Sequence, residues 1–241
     1  MKATPAHQAL LIQLQKLDIE ISQLNYKLIN LPEREQIIAI HTRLENGAVE
    51  KGVVETELED VNIDLRRSEV DVEAVTDRLA KDEKRLSAGL GTPKELEQIQ
   101  HEIETLKKRQ AELEDGELEI MIRKEAVQKR LDELTSDEDG LKKLELELQA
   151  RIDSQTQELN SVIAVKADER MKLVPQIDSA LVELYEKIRN SSDGVGAALL
   201  IGNKCDGCHM VITAVELDKI KGLPDDEVCR CEECRRILVR I

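Results

Sequence analysis

All five cysteines of this sequence lie between Cys205 and Cys234, in the stretch "CDGCHMVITAVELDKIKGLPDDEVCRCEEC". Cys205-x-x-Cys208 and Cys231-x-x-Cys234 are two knuckles of identical spacing, set apart by a linker of 22 residues. A two-residue spacer lets both sulfurs of one tight turn reach the same ion, so the pair of knuckles predicts tetrahedral thiolate coordination of one Zn²⁺. Cys229 is the fifth cysteine; on an extended strand it would share a face with Cys231, which places it near the metal without making it a ligand. His209 follows a ligand directly and is read as an exposed neighbour of the site rather than a ligand.

Four protein ligands close a zinc site and leave no position for water or substrate. The expectation is therefore a structural ion and no enzyme activity. A ribbon of this size buries too little surface to hold its own fold, and metal binding supplies the missing stability. Lys204, Arg230, Arg235, Arg236 and Arg240 surround the knuckles. They have two readings, a nucleic-acid patch or an offset to the formal charge of −2 on zinc with four thiolates. From Asp193 onward there are nine Asp or Glu against seven Lys or Arg, and no aromatic residue that would stack on a base.

The elements that carry this cluster are mostly helical by pattern. The 241 residues contain no Phe or Trp and two Tyr, with 35% charged residues, a composition that suits long helices rather than a globule. Thr4 and Pro5 provide a helix cap and a first-turn proline, and Leu10, Leu14, Leu17, Ile21, Leu24, Leu28 and Leu31 then recur at spacings of three and four. A second seam runs from Val54 through Val61 and Leu79 to Leu86, in a different register from the first. Pro32, Gly47 and Gly52 lie between the two, so a kink is expected near 32–52.

Gly89 and Gly91 break the pattern, and Thr92, Pro93 and Glu95 restart it with a capping box, which predicts a turn near 87–93. A third seam then runs from Leu96 through Ile103, Val127 and Leu148 to Val162. Matched arms on either side of a short turn predict an antiparallel hairpin in which paired residue numbers sum to roughly 181. At 1.5 Å per residue the rod would be on the order of 120 Å long. In that register Asn46 and Gly47 face "LTSDEDG", so a second kink is expected near 134–140. The alternative is a parallel dimer of broken helices. The hairpin, 1–174, is followed by 175–241, in which "QIDSALVELYEKIRN" reads as a short helix, "VGAALLIG" as a strand, and Thr213 with Glu216 as the cap of a further helix. The fold class is thus mainly α, a long antiparallel coiled-coil hairpin with a small C-terminal zinc ribbon.

The formal charge of −15 opposes nucleic-acid phosphates and anionic membrane over most of the surface and favours a protein partner. No run of 18 apolar residues exists, and the N-terminal segment is broken by polar residues before a signal-peptide core forms. A cytoplasmic location with reduced thiols is expected.

The segments "TPKELEQIQHEIETLKKR", "ALVELYEKIR", "CDGCHM" and "CEECRRIL" resemble, in that order, the bacterial C4-type zinc-ribbon proteins with a long N-terminal coiled-coil hairpin. The resemblance implies a helical hairpin and a ribbon, with Cys205, Cys208, Cys231 and Cys234 as ligands. Arg235 departs from it, since the family commonly has Gly after the last cysteine, where the backbone often needs a positive φ. Members of the family are associated with the enhancer-dependent alternative sigma factor, with flagellar assembly and, in one case, with messenger RNA. The function expected is a non-enzymatic adaptor or chaperone-like scaffold for a protein of the transcription machinery, working as a monomeric hairpin or weak homodimer. The alternative is a nucleic-acid-binding regulator that uses the ribbon.

Overall fold

The computed structural model describes residues 1–89 and 91–240. Its elements run α1 (Pro5–Ile29), α2 (Pro32–Ser87), α3 (Pro93–Leu173), a 3-10 turn (Val174–Gln176), α4 (Ser179–Ser191), β1 (Ala197–Ile201), β2 (Lys204–Cys205), α5 (Ala214–Gly222), β3 (Cys229–Arg230) and β4 (Ile237–Val239). By packing the chain forms two units, Met1–Glu35 with Leu148–Ile241, and Gln36–Glu147. The division at 174 and 175 sorts the chain by element type, whereas packing joins the N-terminal helix and the end of α3 to the ribbon.

Helices α1 and α3 start where their residues satisfy the first free N–H groups. The Thr4 side chain accepts from the His7 N–H at 3.3 Å, ahead of Pro5. At the start of α3, Glu95 accepts from the Thr92 N–H at 2.7 Å while Thr92 Oγ1 accepts from the Glu95 N–H at 3.4 Å, the reciprocal pair predicted there. Leu90, within the expected turn, lies outside the described residues.

In the unit Gln36–Glu147 two helices run antiparallel. Val54, Val61 and Leu79 of α2 and Ile99, Ile103 and Val127 of α3 are buried, all of them on the predicted seams. Arg78 meets Glu102, Arg123 meets Glu57 at 3.4 Å and Arg130 meets Glu50 at 2.7 Å, all within a residue of the predicted register. Lys51–Glu138 and His41–Glu145 sit several residues off it.

The first interval in which a kink is expected adjoins a break between two helices. Helix α1 ends at Ile29 and α2 begins at Pro32, so the chain turns at Asn30 and Leu31, just ahead of the predicted interval. Asn30 caps α1 through its own N–H and its side chain, both donating to the Tyr26 carbonyl. Helix α2 then runs through Gly47 and Gly52, and α3 through 134–140. A single glycine costs a helix about 1 kcal/mol, too little to break one held by a long seam. Asn46 and Gly47 face Leu134 and Leu141 across a cavity of about 240 Å³.

In the other unit a four-stranded sheet of order β2-β1-β4-β3 has β1 parallel to β4 and the outer pairs antiparallel. Its core combines Leu11 and Leu14 of α1, Leu181, Tyr185 and Ile188 of α4, and Ala197, Ile237 and Val239 of the sheet. Gly196 is required at the entry to β1, because a Cβ there would lie 2.6 Å from the Tyr185 ring and carbonyl. The buried stripe of α1 is Gln8, Leu11, Leu14, Gln15 and Asp18. It is rotated from the leucine seam predicted on this helix, because the ribbon as well as the helical partner packs against it.

Candidate metal centre

The sheet brings the two knuckles together. Cys205 closes β2, Cys229 and Arg230 form β3, and Cys231 follows directly. The four sulfurs of Cys205, Cys208, Cys231 and Cys234 all lie within 4.8 Å of one another. Cys205 and Cys234 are 3.8 Å apart at sulfur, and Cys208 and Cys231 3.9 Å. A tetrahedral Zn²⁺ with bonds of about 2.3 Å requires sulfurs about 3.8 Å apart, whereas a disulfide would hold them at about 2.05 Å. The donor set and its dimensions therefore fit one zinc ion, held by these four residues.

The two knuckles have the same backbone. The His209 N–H donates to the Cys205 carbonyl at 2.7 Å, and the Arg235 N–H to the Cys231 carbonyl at 2.9 Å. The Cys205 and Cys231 N–H groups donate in turn to the carbonyls of Met210 and Arg236, at 3.1 and 3.0 Å. His209 and Arg235 both have a positive φ, 60° and 64°. The positive φ expected at Arg235 is thus present in both knuckles, and His209 holds the equivalent place in the first. Gly207 has to be glycine, since a Cβ there would approach Ala198 and Arg236 to 2.9 Å.

Burial pushes the Cys205 thiol up to about 12, with the amides of Cys208 and Gly207 opposing the shift. Burial raises the Cys231 thiol as well. For Cys208 burial again acts upward, but the Met210 amide and the neighbouring sulfurs outweigh it and the thiol is held below its usual range. Buried thiols of this kind become thiolates when a cation replaces their protons, so zinc uptake releases protons and weakens in acid.

The remaining residues singled out around the knuckles separate by position. Cys229, in β3, is buried, its thiol raised by burial, and its sulfur approaches the Glu227 carbonyl at 3.6 Å rather than the cluster. His209 and Lys204 are exposed. Arg236 donates to the carbonyls of Val195, Gly207 and Ser192, and Arg240 to those of Ile220, Leu223, Pro224 and Glu227. Arg230 is exposed and donates through Nε to the Arg235 carbonyl at 2.8 Å; the Arg235 side chain faces solvent. Thr213 caps α5 as predicted, but the Glu216 carboxylate is buried and accepts from the Glu232 N–H of the second knuckle at 3.3 Å.

Sequence reasoning missed the groups that fasten the ribbon to α1. The Gln15 Oε1 accepts from the Gly196 and Ala197 N–H groups at 2.6 and 3.2 Å, and its Nε2 donates to the Gly194 carbonyl. Gln8 donates to the carbonyls of Ala3 and Asp225. The segment ahead of α1 pairs with the ribbon too: the Ala3 N–H donates to the Asp226 carbonyl and the Val228 N–H to the Met1 carbonyl. The heptad spacing of Gln8 and Gln15 was visible, but apart from the Ala3 carbonyl their acceptors and donors belong to main chain more than 170 residues away.

These features define a protein class: an antiparallel helical hairpin carrying a C4 zinc ribbon whose metal is structural. The chain belongs to the CT398-like coiled coil hairpin domain family, whose model matches residues 14–193, and a C4-type zinc ribbon domain matches residues 204–238. An uncharacterized protein of Mycobacterium tuberculosis is 33% identical over 248 residues, covering 100% of this chain and 98% of the relative. A solved structure from Mycobacterium smegmatis is 32% identical over 100% of both chains, with a TM-score of 0.82. The CT398 protein of Chlamydia trachomatis shares the fold at a TM-score of 0.64 and 18% identity, covering 98% of each chain.

Proposed function

We propose that this protein is a non-enzymatic, zinc-stabilised adaptor that binds a protein partner. The observation that carries the reading is the closed cluster of four sulfurs, with Arg236 and Arg240 turned onto main-chain carbonyls. Zinc in such a site organises a surface rather than a reaction. With those two guanidinium groups engaged, Lys204, Lys219, Lys221, Arg230 and Arg235 remain as exposed cations of the ribbon, against nine Asp or Glu from Asp193 onward and a chain of net charge −15. That balance supports a protein partner over nucleic acid. Among the described residues no helix is long and apolar enough to cross a membrane.

A component of the transcription machinery, an alternative sigma factor first among them, is the partner to test. The intact, zinc-loaded chain is used as bait under gentle conditions in the cytosol of its own cell. The expected result is a protein retained at near-stoichiometric amount, in binding that survives nuclease. Capture of nucleic acid alone, with affinity falling steeply as salt rises, would contradict it, as would zinc-dependent turnover of a substrate.

A further inference from the structure

The outer side of α2 carries exposed apolar side chains interspersed with Thr42, Glu45, Thr56, Asp60 and Arg67. The seam residues Val54, Val61 and Leu79 are buried, but Ile38, Val49, Val53, Ile63 and Val70 of the same helix are 66, 64 and 62% exposed at Ile38, Val53 and Val70, with Val49 at 73% and Ile63 at 41%. At 3.6 residues per turn these five fall in an arc of about 100°, on the side of the helix opposite the seam. Outward positions of a two-helix coiled coil are normally polar, and β-branched residues there lower helix propensity without any gain from packing. A shallow depression lined by Ile63, Arg66, Arg67, Val70 and Asp71 lies on this face.

The flanks of the stripe are acidic. Residues 49–77 contain ten Asp or Glu against three Lys or Arg. Glu50 and Glu57 pair across the seam with Arg130 and Arg123. Among the described residues Glu55, Glu59, Asp71 and Glu73 form no ion pair. A second copy laid symmetrically along the stripe would set Glu59 and Asp60 against their own equivalents at its midpoint, which like charge disfavours. Charge complementarity instead selects an occupant with an apolar stripe and basic flanks.

We propose that the outer face of α2 from Val49 to Val70 docks an amphipathic helix of a partner protein, apolar on its buried face and rich in Lys or Arg on either side. The assignment rests on the adaptor reading and gives it a surface.

The probe is a fluorescent synthetic helix of about 20 residues, long enough to span the stripe, with leucines at helical spacing and lysine flanks. Its controls are a scrambled peptide of the same composition and a peptide in which the lysines are replaced by glutamates. Anisotropy with the full-length, zinc-loaded protein should show the designed helix binding at least about tenfold tighter than either control. Ile63→Ser with Val70→Ser should weaken it by about tenfold with unchanged helical circular dichroism, since both side chains are exposed. Glu55→Gln with Asp71→Asn should weaken it severalfold and flatten its salt dependence. Equal binding of the scrambled peptide, or no effect of the serine pair, would overturn the proposal. A concentration-dependent dimer in sedimentation that the serine pair dissolves would overturn it in favour of a second copy. If the serine pair captures the wild-type partner undiminished, docking lies elsewhere and the adaptor reading stands; if neither captures a protein, that reading fails.

Discussion

Asp18 places a carboxylate in the interior at 4% exposure, which is tolerable only because three donors meet it. Tyr185 donates its hydroxyl at 2.6 Å, and Arg170 and Arg189 each approach to 2.7 Å. Burial acts to raise the Asp18 carboxyl, but the hydrogen bonds from Arg170, Tyr185 and Arg189 outweigh it and hold the group below its ordinary value of 3.8. A depressed folded-state value means that this contribution is complete above the ordinary value and is lost as pH falls through the folded one. Urea unfolding followed by tyrosine absorbance should therefore show wild-type stability dropping below about pH 4. Asp18→Ala should cost about 3 kcal/mol at pH 7, by stranding the two arginines, and should flatten that acid slope. At this scale the four ligands were legible because two-residue spacing is a local rule. Gln8, Gln15 and Asp18 were not, because a polar residue on a helix shows its purpose only once its distant partner is folded beside it.

Between residues and whole chain, the elements show how much helical continuity a seam enforces. The capping box of Thr92 and Glu95 was readable because all its groups lie within four residues. The glycines of α2 lie within a continuous helix because the packing that offsets their intrinsic cost comes from a helix elsewhere in the sequence. Lys51 bridges to Glu138 at 2.8 Å beside the cavity at Gly47, and ion pairing to Lys142 and Lys51 holds the Glu138 carboxyl down at about 2. Gly47 has a helical backbone and nothing within 4 Å of an added Cβ. Gly47→Ala should accordingly stabilise the protein by about 0.5–1 kcal/mol, read as a rise in the midpoint of thermal unfolding by circular dichroism. A fall in the midpoint would mean that the helix needs glycine there for a bend.

For the whole molecule, the ribbon and the N-terminal helix share one packing unit, so metal binding has consequences beyond the knuckles. The segment from Met1 to Ala3, the Gln15 amide and the guanidinium of Arg236 all hold main chain that the metal centre helps to order. Chelation of zinc should raise hydrogen exchange at the amides of Ala3, Gly196 and Val228, while the amides of α2 and α3 between 54 and 127 keep their protection. Uniform protection with and without metal would show a ribbon that folds unaided. The overall architecture was legible because seam periodicity and cysteine spacing are long, redundant signals; the grouping of α1 with the ribbon was not, because it depends on contacts between the two ends of the chain.

The central claim is that zinc closes a structural clasp through Cys205, Cys208, Cys231 and Cys234, with Cys229 outside it. Zinc counting on the purified wild type and the five single Cys→Ser variants tests it most directly. One zinc per chain is predicted for the wild type and Cys229→Ser, with the other four variants losing zinc or holding it far more weakly. Loss of zinc from Cys229→Ser together with its retention in Cys231→Ser would contradict the assignment.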